Sequence, residues 1–359
     1  EESTNNGQSW TLQNGGNAIG ENTQYPSIDY IKQITSGTEQ IQNVPIIVFD
    51  KWNSYDLSEL KIGWLPNNVG NSYMQSAVAQ SNPDALVSSP VIATTKGNKF
   101  VVVWRGTNTQ SQLKLLYRLG EITSSNQCVW LNDVQDLSGS GEFSQNPTIG
   151  IKKEIASSVT VHIAWQEGGL YTNSAIYYNT LTINPDNSVT QGTAANISSG
   201  SGYTRNYNPS LVAFGEGARI CWIGTREVEM QEEESIQWEH RVIFKDPSYW
   251  RYWNFVKTNG NTVHSPSINK TDGNTAYIFG WSEDDGNERL FANNSLNNIY
   301  TMTGTTGRDL QLSNGASTSA MYVNTFNNYS LPYSFSTTVD INSFYGLQKR
   351  GGAGISKGR

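Results

Sequence analysis

Only two cysteines, Cys128 and Cys221, occur in 359 residues, too few for a disulfide framework. Each stands in an apolar run, "CVWL" or "ICWI", and reads as a small buried hydrophobe; a single bridge between them is the other option. Charge is sparse as well, at 15% of residues. No apolar run approaches the ~20 residues of a membrane span, the best being "VPIIVF" and "FVVVW". Of the three histidines, His162 lies mid-strand on the face opposite Trp165, and His240 and His264 are far apart in sequence. No zinc spacing results. A Gly-x-Ser-x-Gly elbow, a P-loop and a dinucleotide fingerprint are all missing, which removes the enzymes built on them.

Basic charge is short too. Twenty-four Lys and Arg against 31 Asp and Glu leave −7. In residues 337–359, Lys349, Arg350, Lys357 and Arg359 face one acid, Asp340, so that segment carries +3 and the remainder −10. An acidic body repels phosphate backbones, which excludes a nucleic-acid footprint. The Gly-rich ending "LQKRGGAGISKGR" reads as disordered alone, or ordered only against an acidic neighbour. The chain begins at Glu1 with no visible signal peptide; a cleaved leader or a trimmed chain accounts for that equally. Sparse Cys and abundant Asn fit a secreted, cell-surface or periplasmic location.

What is present is strand and turn material. Aromatic residues make up 11% and glycines number 33, a composition that suits many strands and turns and disfavours helices. Self-similarity supplies the organisation. An X-Pro step, a small residue, an apolar stretch, a turn and a strand ending near Trp recur. They appear at Pro26 ("YPSIDYI", "VPIIVFDKW"), Pro90 ("SPVIATT", "KFVVVW"), Pro147 ("NPTIGIK", "VTVHIAWQE"), Pro209 ("NPSLVAF", "ARICWIG") and Pro266 ("SPSINKTDGN", "TAYIFGW"). The intervals are 64, 57, 62 and 57 residues. Each has room for four strands, as in "NPTIGI", "VTVHIAW", "AIYYNTLTI" and "SVTQGT". Repeats of this length with four strands are the signature of β-propeller blades.

The expected fold is therefore an all-β, six-bladed β-propeller over residues 1–336, with residues 337–359 a basic, Gly-rich tail. A fifth unit ends with "RLFAN" and "NIYTMTG", and a sixth starts at "RDLQLSN" and continues through "SAMYVNT" and "LPYSFSTT". Its fourth strand would come from "SWTLQ" at Ser9–Gln13, so that the N-terminal strand closes the last blade and removes an open edge. Seven blades remain an option if the tail holds strands.

The pattern "NPTIGI…VTVHIAWQE…NSAIYYNT" resembles the repeats of secreted bacterial sialidase-like (BNR-type) propellers, over roughly Tyr25 to Asn293. The resemblance implies a site on the face where second strands exit. It lacks the marks of the catalytic branch. The nearest approach to an Asp box, Ser282-Glu-Asp284-Asp-Gly286, lacks Thr-Trp and follows a second strand, and no Arg-Ile-Pro occurs.

At the second-strand exits stand Asp50 and Lys51, Arg105, Gln166 and Glu167, Arg226, then Ser282 and Glu283. Trp104, Trp165 and Trp281 fall in strand register and read as wedges between blades; Trp52 falls outside a clean strand and is the better ligand platform. Arg105 and Arg226 have the fork that grips a carboxylate, although solvated loop charge is the commoner role. The segment "TREVEMQEEESIQWEH" reads as an exit loop bearing Glu227, Glu229, Glu232, Glu233 and Glu234, beside "SEDDGNE" with Glu283, Asp284 and Asp285. Such a rim suits solvent, a basic partner or a hard cation such as Ca²⁺, and it would discourage an anionic sugar. No cofactor is implied, and no residue is assigned to catalysis. Were the chain an enzyme, Glu167 and Glu283, or Glu239 in place of one of them, would supply the two carboxylates that glycoside hydrolysis needs.

Together these features point to an exported, non-catalytic propeller, a recognition or scaffold module for a protein partner or neutral glycan in a surface or envelope assembly. The alternative is a glycoside hydrolase of the sialidase-like or arabinan-cleaving kind. A propeller lectin stands third, weakened because the exit residues differ from blade to blade.

Overall fold

In the computed structural model the described residues fall within 23–296, together with 310–311. Breaks occur at 35–40, 55–56, 65–73, 79–87, 96, 142, 152–157, 170–172, 215–216, 230–235, 247–250, 255–261, 271–275 and 285–287. All regular structure among them is antiparallel β, in five consecutive sheets. Blade 1 comprises β1 (Thr23–Ile34), β2 (Ile41–Ser54), β3 (Leu57–Trp64) and β4 (Met74–Ala77). Blade 2 comprises β5 (Ser88–Thr94), β6 (Lys99–Thr107), β7 (Leu113–Ile122) and a divided outer strand, β8 (Cys128–Trp130) and β9 (Gln135–Asp136). Blade 3 has β10 (Ser144–Ile151), β11 (Val159–Glu167), β12 (Ala175–Ile183), β13 (Val189–Gln191) and β14 (Ala195–Asn196). Blade 4 has β15 (Arg205–Phe214), β16 (Gly217–Glu229), β17 (Ile236–Asp246) and β18 (Arg251–Asn254). Blade 5 has β19 (Thr262–Lys270), β20 (Ala276–Asp284), β21 (Glu288–Leu296) and β22 (Leu310–Gln311).

The strand order within each blade is that of the sequence, a meander, and the first strand of each blade lies against the first strand of the next. That is a β-propeller. One boundary differs from expectation. "RDLQLSN" does not open a sixth blade; Leu310 and Gln311 pair with Ala292 and Phe291 as the outer strand of blade 5. A long connection hides such a strand from local pattern, because two residues carry no periodicity. The segments "SAMYVNT" and "LPYSFSTT", the closing strand Ser9–Gln13 and the tail 337–359 lie outside the described residues.

The recurring X-Pro step has a physical cause. Each first strand shifts register at it, between Gln24 and Ser27, Ser88 and Val91, Gln145 and Thr148, Tyr207 and Ser210, and His264 and Ser267. Such a bulge tolerates a proline, which has no N–H for the ladder. The residue before it takes a left-handed φ in the middle blades: 54° at Ser89, 50° at Asn146 and 52° at Asn208. Asn adopts that region more readily than most side chains.

The small residue after the proline joins neighbouring blades. Ser27 Oγ accepts the Ile92 N–H at 3.2 Å, Thr148 Oγ1 that of Leu211 at 3.1 Å, and Ser210 Oγ that of Ile268 at 3.2 Å. Nearby, Asp29 Oδ2 accepts from the Thr94 N–H at 2.9 Å and the Thr94 hydroxyl at 3.1 Å. These bonds tie the inner ring while apolar faces fill the space between sheets. Trp104 packs between blades 1 and 2, Trp165 between 2 and 3, and Trp222 between 3 and 4, all essentially without solvent exposure. The wedge role expected of Trp104 and Trp165 holds. Both faces of a middle strand are covered, so "FVVVW" is buried throughout rather than alternating. Cys221 is fully buried and Cys128 half-buried, and both are free. Burial pushes the Cys128 thiol up to about 11, which suits packing and not reactivity.

Candidate functional site

Register defines the level of the site. Phe49, Trp104, Trp165, Trp222 and Trp281 occupy equivalent positions on the second strands. One step later come Asp50, Arg105, Gln166, Ile223 and Ser282, and then Lys51, Gly106, Glu167, Gly224 and Glu283. This inner level faces the X-Pro bulges.

Blade 3 shows how the level is built. Gln166 is fully buried. Its Oε1 accepts from Asn146 Nδ2 at 3.2 Å and from the Asn208 N–H at 3.4 Å, so it bonds the bulges of two blades. Its Nε2 donates to the Gly168 carbonyl at 3.0 Å, as does Gln145 Nε2 at 2.8 Å. Asn146 Nδ2 also donates to Asn208 Oδ1 at 3.1 Å. Among the described residues Asn146 Oδ1 and Asn208 Nδ2 make no hydrogen bond, and both side chains are part-exposed.

Arg105 occupies in blade 2 the place of Gln166 in blade 3. It is half-buried, and its Nε is buried without a hydrogen-bond partner among the described residues. Burial pulls its guanidinium below the ordinary value, and the Glu167 carboxylate opposes that shift. The Glu167 charge thus acts on Arg105 across the junction of blades 2 and 3. Glu167 Oε2 accepts from the Ser144 hydroxyl and from Trp165 Nε1, the latter at 3.3 Å. Gly141 passes so close that a Cβ there would stand 2.7 Å from Glu167 Oε1. Beside them, Phe143 is 62% exposed, an aromatic ring facing solvent at the same rim.

Arg226 lies further out than the sequence alignment places it. Blade 4 has Ile223 and Gly224 at the inner level, and Arg226 stands two residues beyond, on β16. Its Nε donates to Glu239 Oε2 at 2.6 Å, and Arg241 holds Oε1 of the same carboxylate. Burial pushes the Glu239 carboxyl up, but the hydrogen bonds and charges of Arg241 and Arg226 outweigh it and leave it below the usual range. A carboxyl held ionised in this way suits positioning better than proton donation.

Several residues expected in loops lie on strands. Glu227 and Glu229 belong to β16, opposite Trp238 and Ile236. Glu283 and Asp284 belong to β20, opposite Arg289 and Glu288. Trp52 lies within β2, opposite Ser58, rather than outside a strand. In each case a hairpin continues past the point where apolar alternation stops, and pattern alone marks that point as the strand end. Glu232, Glu233, Glu234 and Asp285 lie outside the described residues. Among the described residues no cluster of three metal-ligating side chains occurs.

Sequence reasoning missed Asn146, Asn208, Ser144, Tyr203, Arg205, Trp238 and Arg241. For the two asparagines a signal existed, since each precedes a repeat proline.

No protein-family model matches the chain, and no characterised protein is recognisably related in sequence. Solved structures with a similar arrangement are propeller glycoside hydrolases. They include the α-L-arabinanase of Penicillium chrysogenum in complex with arabinobiose (12% identity, 79% of each chain covered, TM-score 0.46). A second is the GH93 α-L-arabinofuranosidase of Fusarium graminearum, also with arabinobiose (9% identity, 84% of each chain, TM-score 0.47). A third is the GH43 endo-arabinanase of Bacillus licheniformis (12% identity, 77% of this chain and 94% of that one, TM-score 0.37). These are enzymes of the arabinan-cleaving kind named above as the alternative, and none of the three is a sialidase. At such TM-scores the likeness assigns neither chemistry nor substrate to this chain.

Proposed function

We propose that this propeller binds a neutral glycan at the inner level of blades 2 to 4. The observation that carries this reading is the Asn146–Asn208 pair. The two amides share one hydrogen bond and keep an acceptor and a donor unspent. Neighbouring sugar hydroxyls, each able to donate and accept, match such a pair without any charge. The exposed Phe143 ring offers an apolar surface to a sugar face, and Arg105 and Glu167 add charged hydrogen-bonding groups beside it. Arabinobiose, the ligand named for two of the similar structures, is the first probe. Calorimetric titration should show binding that weakens about tenfold or more in Asn146→Ala/Asn208→Ala, on the order of 1.4 kcal/mol. If no neutral oligosaccharide binds, or the double variant binds as tightly, the reading fails.

A second reading, glycoside hydrolysis, is favoured by Glu167 and Glu283, which occupy the same register level in blades 3 and 5. Release of reducing sugar from arabinan or an aryl-arabinoside, abolished by Glu167→Gln or Glu283→Gln, would establish it.

A further inference from the structure

The β16–β17 hairpin outruns its counterpart in blade 3. There, pairing ends at Glu167 with Ala175. The same level in blade 4 is Gly224 with Arg241, and pairing continues through five further residue pairs to Glu229 with Ile236. Among the described residues neither flanking strand follows. The first strand, β15, last pairs with Thr225, and the outer strand, β18, reaches only Ile243. Among the described residues only β16 and β17 pair beyond Thr225, and one face of this ribbon carries a charge arrangement that the inner level does not use.

On that face Glu239 Oε1 accepts from Arg241 Nε at 2.8 Å and lies 2.6 Å from its Nη2, and Oε2 accepts from Arg226 Nε at 2.6 Å. One carboxylate between two guanidinium ions leaves a positive charge uncompensated. Nη1 and Nη2 of Arg226 and Nη1 of Arg241 make no hydrogen bond among the described residues. The Arg226 side chain is 43% exposed and its guanidinium lies 5.2 Å from the Tyr203 ring centroid. Glu239 and Tyr203 fix the fork in place, so little side-chain freedom remains to be lost on binding. Glu227, an exposed acid nearby, pairs opposite Trp238 on the other face, where Arg205 stacks on Trp238 at 3.9 Å.

We propose that Arg226 and Arg241 form a subsite for the carboxylate of a uronic acid residue. It lies about 7 Å along β16 from the inner level at Gly224, two residues at about 3.3 Å each. The fork accepts the carboxylate bidentately, while the buried Tyr203 ring backs the Arg226 guanidinium from the core side. This rests on the glycan-binding reading and names its substrate class: an oligosaccharide with both neutral and acidic residues. The carboxylate would meet the two arginines on the ribbon face opposite Glu227 and Glu229.

Titration with a galacturonate disaccharide, its methyl ester, arabinobiose and sodium sulfate, at low and high salt, tests the proposal. The acid should bind wild type at least tenfold more tightly than the ester, and less tightly as salt rises. Arg226→Gln should lose that preference and Arg226→Lys recover part of it, while arabinobiose binding stays unchanged. Equal binding of acid and ester by wild type overturns the subsite. So does an Arg226→Gln variant that binds the acid like wild type, or sulfate competing as strongly as the uronate. Failure of arabinobiose alone, with uronate binding intact, sinks the neutral inner site and leaves the carboxylate subsite standing.

Discussion

Glu239 is held ionised by two arginines on a ribbon that the other described strands do not support beyond Thr225. Because its folded pKa lies below the ordinary value of about 4.3, the clamp stabilises the fold fully above that value. The contribution is lost as pH falls through the lowered folded pKa. Unfolding midpoints of wild type and Glu239→Gln should therefore differ at about pH 6, and the difference should shrink as pH falls below about 4.3. A gap independent of pH would show that the clamp does not act through charge. Sequence reasoning recognised Glu239 and Arg226 separately but not as partners, since they are 13 residues apart and only hairpin register joins them. Trp104 and Trp165 were legible, because a large aromatic ending an apolar strand has few alternatives to burial.

At the scale of elements, the X-Pro bulge and the blade 4 ribbon contrast in legibility. The bulge repeats at nearly constant spacing, so its proline announces it five times. The ribbon occurs once, and its Arg226, Glu227, Glu229, Gln237 and Glu239 read as loop. A two-stranded ribbon is marginal alone. Here it is braced by Arg205 on Trp238 and Arg226 on Tyr203, each cation–π contact contributing about 0.5–2 kcal/mol. Arg205→Ala should raise the hydrogen-exchange rates of Arg226–Glu229 and Ile236–His240 by about two- to thirtyfold. Protection of Ile220–Ile223 should not change. If both regions lose protection together, the ribbon is part of the blade core rather than a separately opening unit.

For the whole molecule, neighbouring first strands approach closely enough to exclude side chains. A Cβ on Gly150 of blade 3 would stand 2.7 Å from Leu211 Cδ2 and 2.9 Å from the Ala213 backbone nitrogen of blade 4. The backbone atom cannot yield cheaply, so Gly150→Ala should destabilise by about 1–3 kcal/mol. Gly97→Ala, in a turn whose nearest neighbour is Thr95 Oγ1 at 3.8 Å, is the matched control. Chemical denaturation of both measures the difference, and equal stability of the two variants would argue against tight radial packing of blades.

The sequence by itself determined that the chain is all-β, that it repeats about every 60 residues, and that Trp104 and Trp165 wedge the blades. Those properties follow from local composition and period, which need no knowledge of distant contacts. Only the tertiary structure decided that Leu310 and Gln311 complete blade 5, that the Glu167 charge acts on Arg105, and that Asn146 bonds Asn208. Each of these depends on register between strands or blades. Register is set by backbone hydrogen bonds between segments far apart in sequence, and a slip of one residue would turn every one of those side chains to the opposite face.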